Sequence, residues 1–336
     1  MARVKSDVVA VLSAGIVAAA VAASGADRKY SAIDLGTLPG GALTLAYAIN
    51  NRSQVVGVSH IAGDSHAFLW ERGTMTDLGI PPGRRHAAAA DINNHGQIVG
   101  STSAEFAQAV MWDRGSVIEL GMLPGGTSCA AHAINDRAQI VGSCDVPSGD
   151  GGAFLWEDGV MIPLGTLPGG NFSFATSIND FGQVVGAGTT ASGESHAFLW
   201  EDGTMLDLGT LPSGTLSYAA SINHHAVIVG SSNTTPSLAP SAVIWANGEM
   251  TLLPTLPGAP FSHAAAINDR GQVAGTIEPR SVLWDRGSIL ELGVPTAGIS
   301  GTPVAINDRG DIVGQYNPAS GGDSRAVLWT MRAIKQ

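Results

Sequence analysis

The sequence predicts an all-β fold, a seven-bladed β-propeller of four-stranded antiparallel blades, and three observations lead there. The phrase Ile-Asn-x-x-x-x-[Ile/Val]-[Val/Ala]-Gly recurs seven times, beginning at Ile49, Ile92, Ile134, Ile178, Ile222, Ile267 and Ile306. After each copy comes one of the chain's seven tryptophans, spaced 39 to 45 residues apart. That is the period of blades built from several short strands. The third observation is an offset between the chain ends. A Leu-Gly pair closes most units, yet the first, Leu35-Gly36, precedes the first repeat, and the last repeat stops soon after Trp329 without one. A ring closed by an N-terminal strand, Ile33-Asp34-Leu35, completing the last blade accounts for the offset and covers edges an open array would expose.

Residues 1–26 read as a signal peptide and 27–336 as the propeller. Arg3 and Lys5 supply a positive start, Val8 to Ala23 is a run of small or apolar residues, and Ala20-Val21-Ala22 and Ser24-Gly25-Ala26 are small-residue cleavage sites. The run is shorter than the roughly 20 residues of a membrane helix. No membrane span is expected after cleavage, and the address is extracellular or periplasmic.

Within the first repeat, Ala46 to Asn50 is strand a, Gln54 to Ser59 strand b, His66 to Trp70 strand c and Thr74 to Leu78 strand d. Asn and Asp in the a–b turn bond nearby amides and tolerate unusual φ values. Ile61 to Ser65 reads as a variable b–c loop, and Glu71-Arg72-Gly73 as a tight c–d turn. Strand a is rich in alanine, as at Ala87 to Ala90, which suits the crowded axis. Strand c carries Phe68 and Trp70, Phe154 and Trp156, or Phe198 and Trp200, bulk that suits the wider wedge between blades. Strands b and c show little polar alternation, so both of their faces are expected to be buried. The tryptophans are read as inter-blade core rather than as sugar platforms.

The phrases His66-Ala67-Phe68-Leu69-Trp70 and His196-Ala197-Phe198-Leu199-Trp200, with Asp-Leu-Gly-Thr-Leu and Ile-Asn-Asp-x-Gly-Gln-Val-Val-Gly, resemble the HAF family of extracellular repeat proteins over nearly all of residues 30 to 330. The resemblance implies a secreted or surface-exposed bacterial protein and no particular reaction. The full His-Ala-Phe triplet stands in two units only. The others carry Gln108, Gly152, Ser241, Arg280 and Arg325 in the histidine's place, which argues against a shared catalytic or metal role.

The formal net charge of −11, with 17 basic residues and no basic cluster larger than Arg84-Arg85, excludes nucleic acid as a partner. Cys129 and Cys144, the only cysteines, flank the third a–b turn. A plain hairpin register sets them face to face for a disulfide, as export allows. A bulged turn would send them to opposite faces, and Ala138 at the left-handed position weighs against that bulge. The nine histidines do not cluster, and no nucleophile, phosphate or metal signature occurs, so no catalytic and no metal residues are assigned. Most b–c loops bear an acid. Asp64, Glu105, Asp145, Glu194 and Asp323 are candidate ligand-binding residues on one rim, able to hold Ca²⁺ or a basic partner. The expected function is a monomeric, exported, non-catalytic binding or scaffold propeller for an unknown protein or glycan, engaged by the b–c and d–a loops. The alternative is an extracellular carbohydrate-active hydrolase or lyase with its site at the channel mouth.

Overall fold

The structure, a computed structural model, describes residues 30–146, 152–234, 239–295 and 298–331. The expected signal peptide, 1–26, lies outside them. All regular structure among these residues is β-strand. In the first repeat, strand a runs Gly41–Ile49, b Val55–Ile61, c Asp64–Glu71 and d Thr74–Asp77, paired antiparallel in chain order. Repeats three to six each form a four-stranded sheet of this order. Repeats one and two share an eight-stranded sheet through one parallel bridge, Ser65 with His86. The last sheet draws on both ends of the chain. Ser31–Asp34 pairs antiparallel with the c strand Arg325–Thr330, with Ile33 opposite Leu328.

Each a–b turn is organised by its asparagine. In the third repeat the Oδ1 of Asn135 accepts the N–H groups of Arg137 (3.0 Å) and Gln139 (2.9 Å), satisfying donors that the turn leaves unpaired. The c–d turns have positive φ at both central residues, as at Arg72 (51°) and Gly73 (87°), the geometry of a type I′ hairpin. The first b–c connection is equally tight. Ala62 and Gly63 take φ of 51° and 97°, so no loop spans Ile61 to Ser65, and Asp64 already belongs to strand c.

The repeated glycine of strand b has a steric cause. Every strand a is bulged near its middle, and there its backbone leans onto strand b. A Cβ on Gly57, Gly142 or Gly186 would collide with the carbonyl oxygen of Leu45, Ala130 or Phe174.

The third repeat shows how both hairpin registers coexist. Ile134 faces Ile140 and Ala133 faces Val141, the bulged register, and Ala138 adopts the left-handed φ of 61°. The irregularity between Ala131 and Ala133 then restores the plain register, and Cys129 faces Cys144 with their sulfurs bonded. The turn therefore is bulged despite its alanine. The two amide hydrogen bonds to Asn135 offset the roughly 1–2 kcal/mol that a left-handed alanine costs.

Apolar side chains gather between consecutive repeats. Phe154 packs with Val99 and Met111 of the preceding repeat, and Phe198 with Val141 and Leu155. A further cluster joins Val313 and Leu328 of the last repeat to Ala46, Phe68 and Trp70 of the first. Phe68, Phe154 and Phe198 are fully buried, and the tryptophans lie in or against these clusters. Burial of one such aromatic stabilises by roughly 2–3 kcal/mol at 25 cal/mol per Å².

Candidate functional site

The a strands present two different ends. At the a–b turns, the Nδ2 of each motif asparagine donates to the carbonyl of the next repeat's asparagine. The series runs from Asn50 to Asn93 (3.0 Å), onward through Asn135, Asn179, Asn223 and Asn268, and from Asn307 back to Asn50 (2.9 Å). The residue after each asparagine forms a second series. The backbone N–H of Asn94, for instance, donates to Asp136 Oδ1 (2.7 Å), and that of Asp136 to Asp180 Oδ1 (2.8 Å). His224 stands in this series between two carboxylates, Nε2 2.7 Å from Asp180 and Nδ1 2.5 Å from Asp269. Burial opposes its protonation, but the two carboxylates outweigh burial and raise its pKa above the ordinary 6.5. These turns enclose a small hollow of about 180 Å³.

Toward the other end of the a strands, where b–c and d–a connections meet, lies a larger cavity of about 640 Å³. Four of its lining residues, Phe174, Tyr218, His263 and Thr302, come from one column of the repeat, the fourth residue before the motif isoleucine. That column reads Leu45, Ala88, Ala130, Phe174, Tyr218, His263 and Thr302. Three successive repeats thus place Phe174, Tyr218 and His263 side by side, ring centroids 5.9 and 6.3 Å apart. Ala220, Ala265, Pro303 and Val304 supply small surfaces, and His132 and Thr176 add polar ones. Two residues nearer the strand start, Phe172, Leu216 and Phe261 are 45%, 38% and 43% exposed, and Phe172 lies 5.9 Å from Phe174. No Asp, Glu, Lys or Arg lines the cavity among the described residues. Burial lowers the pKa of His132 and His263 and raises that of Tyr218, so all three are held neutral near neutral pH.

Sequence reading passes over this wall because histidine and aromatics in strand a look scattered along the chain. The signal is present once the repeats are stacked on their isoleucine and the column is read downward. The alanines expected in strand a stand there in repeats two, five and six, at Ala87–Ala90, Ala219-Ala220 and Ala264–Ala266, but in repeats four to six the column beside them carries Phe174, Tyr218 and His263.

The expected rim acids stand on separate repeats. Asp64 opens strand c, 3.3 Å from Arg85. Asp145 closes the b strand of repeat three. Glu194 accepts a hydrogen bond from Ser192 (3.0 Å) and lies 3.9 Å from His196. Glu105 and Asp323 are exposed in their b–c loops. Among the described residues, no group of three or more His, Cys, Asp or Glu is placed to hold a metal ion.

The histidine of the His-Ala-Phe triplet has a partner on strand d. His66 lies 2.8 Å from Asp77 and His196 2.9 Å from Asp207. Arg280 with Glu291 (2.6 Å) and Arg325 with Asp34 (3.1 Å) fill the same places. Where strand c has Gly152 or Ser241 instead, strand d brings Pro163 or Leu252. Histidine and aspartate thus form a cross-strand pair in the blade, away from the cavity wall.

Four-stranded antiparallel sheets packed side by side, with a cavity framed by their first strands, define a β-propeller. No protein-family model and no curated protein matches the chain. Among solved structures it is similar to the β-propeller domain of the Trilobed protease from Pyrococcus furiosus, at 12% identity and a TM-score of 0.58, over 88% of this chain and 99% of that one. It is also similar to Pyrococcus horikoshii acylaminoacyl peptidase, at 15% identity and a TM-score of 0.58, over 88% of this chain and 52% of that one. Virginiamycin B lyase from Staphylococcus aureus matches at 13% identity and a TM-score of 0.53, over 90% and 99%. Likeness at such identities carries the fold and no activity. No helix among the described residues is long and apolar enough to cross a membrane.

Proposed function

We propose that the protein is an exported, non-catalytic binding module, a closed seven-bladed propeller of HAF-type repeats that takes its ligand through the rim of b–c and d–a connections. The observation that carries this reading is the exposed apolar group at that rim, Phe172, Leu216 and Phe261, leading into an uncharged cavity. Water-exposed large apolar side chains on three successive repeats mark a binding surface. The circular closure is supported by the Asn307–Asn50 hydrogen bond and by the apolar cluster shared between last and first repeats. Export is supported by the basic-apolar start of the chain and by its bonded cysteines.

The test is a thermal-shift screen of the purified protein against glycans, peptides, charged and uncharged small aromatics, and calcium chloride. At least one class is expected to raise Tm, and the double variant Phe172→Ser with Phe261→Ser to abolish that rise. A rise that survives in the double variant moves binding away from this rim. Chemical conversion of the bound compound, read by mass spectrometry, overturns the non-catalytic assignment. A calcium response lost on Asp64→Asn with Glu194→Gln would localise the ion to the rim acids.

A further inference from the structure

We infer that the cavity takes one uncharged aromatic molecule, seated against the Phe174–Tyr218–His263 wall with a hydroxyl at its edge, a reading that rests on the rim entry proposed above. Three features select this class. The first is the wall itself. Its rings are tilted by 30° and 31° from one to the next, forming a continuous aromatic surface over three repeats. Ala220, Ala265 and Val304 are too small to fill the space beside it, so the cavity of about 640 Å³ has room for a fused two-ring system. Aromatic rings favour other aromatic rings in offset or tilted contact beyond the gain from burial alone.

The second feature is charge. An ion entering the cavity would lose hydration and find no opposite charge, because the described lining holds none. The neutral states of His132, His263 and Tyr218 leave that balance unchanged near pH 7.

The third is the small set of hydrogen-bonding groups. His132 Nδ1 lies 2.7 Å from the carbonyl oxygen of Ala175. A carbonyl only accepts, so Nδ1 carries the proton, and Nε2 of the neutral ring is an acceptor. The hydroxyl of Tyr218 and the ring nitrogens of His263 make no hydrogen bond among the described residues. A neutral tyrosine hydroxyl and a neutral imidazole each offer one donor and one acceptor, so Tyr218 or His263 alone satisfies a single ligand hydroxyl.

Calorimetric titration of the purified protein at pH 7.5 with 2-naphthol tests the inference. The comparison ligands are 2-naphthoate, decahydro-2-naphthol and methyl β-glucoside, which change charge, aromaticity and class in turn. One 2-naphthol is expected to bind per chain, about tenfold or more tighter than any of the three. Phe174→Leu keeps apolar bulk and so keeps the fold. It is expected to weaken binding about tenfold, and Tyr218→Phe about fivefold, with Tm unchanged. Binding of naphthoate or the glucoside as tight as 2-naphthol, no binding of 2-naphthol, or indifference to both substitutions would overturn the inference. If 2-naphthol fails while another probe still responds to the Phe172 and Phe261 substitutions, the ligand class falls and the rim assignment stands. If 2-naphthol binds regardless of those rim substitutions, the rim entry falls, and with it the route on which the inference depends.

Discussion

Asn135 uses every polar atom of its side chain. Oδ1 holds two amides of its own turn, and Nδ2 reaches both Gln139 Oε1 (2.7 Å) and the carbonyl of Asn179 (3.0 Å). Aspartate is nearly isosteric but lacks the two donors and would bury a charge beside two acceptors. Asn135→Asp is expected to destabilise by roughly 2–4 kcal/mol, read from the urea midpoint. The intra-turn role is legible in the sequence, because Asn-x-x-x is a turn pattern with a known cause. The bond to the neighbouring repeat is not, because nothing local marks a partner over 40 residues away. Asp91 shows the reverse case, a residue that departs from its column. It holds the N–H of Ile134 at 2.9 Å, a task that Ser177 and Ser221 perform for Ile222 and Ile267 at 3.4 Å. Burial pushes its pKa from 3.8 up to about 6, against two backbone hydrogen bonds and with help from nearby Asp136. The folded chain therefore keeps a proton that the unfolded chain releases. Stability falls as pH rises from about 3.8 to about 6 and stays reduced above that. Asp91→Ser is expected to raise Tm at pH 7.5, by an amount worth at most about 3 kcal/mol before solvent screening is discounted. Below pH 3.8 the gain should vanish.

At the scale of the strand, one collision and one pairing explain most of the repeat. Gly186 sits under the carbonyl of Phe174, and its φ is ordinary, so the requirement is for space. Gly186→Ala must push two strands apart and is expected to cost roughly 2–4 kcal/mol, measured by chemical unfolding. The glycine is visible in the repeated phrase, but its cause lies in the bulge opposite, which no periodicity announces. The strand c–strand d pair is better hidden, because its members are 11 residues apart and change together. A double-mutant cycle on His196→Ala and Asp207→Ala is expected to give a coupling of about 0.5–1 kcal/mol, small because both groups are partly exposed. His196→Arg should be tolerated, as Arg280 and Arg325 already stand in that place. No coupling in the cycle would reduce the pair to a chance contact.

Across the whole molecule the sheet order and strand limits are largely legible, since they follow from apolar runs and turn residues that recur at one spacing. The cavity is not, because its wall emerges only when separate repeats are placed next to one another. The same holds for His224, whose two carboxylates come from repeats on either side. Its raised pKa stabilises the fold while the imidazole is protonated, fully so below the ordinary value of 6.5, and the benefit fades as pH climbs through the folded value. Tm is expected to decline from pH 6 toward pH 9, and His224→Asn to flatten that decline. An unchanged slope in the variant would remove the histidine from the account.

The asparagine circuit and the aromatic wall sit at opposite ends of the same inner strands. Upkeep of the assembly is thus delegated to one end, and the other is free to vary without loosening a joint. A set of columns four residues upstream of each isoleucine could be rewritten as an interchangeable address, retargeting the protein while its hinges of amide and carbonyl are left untouched.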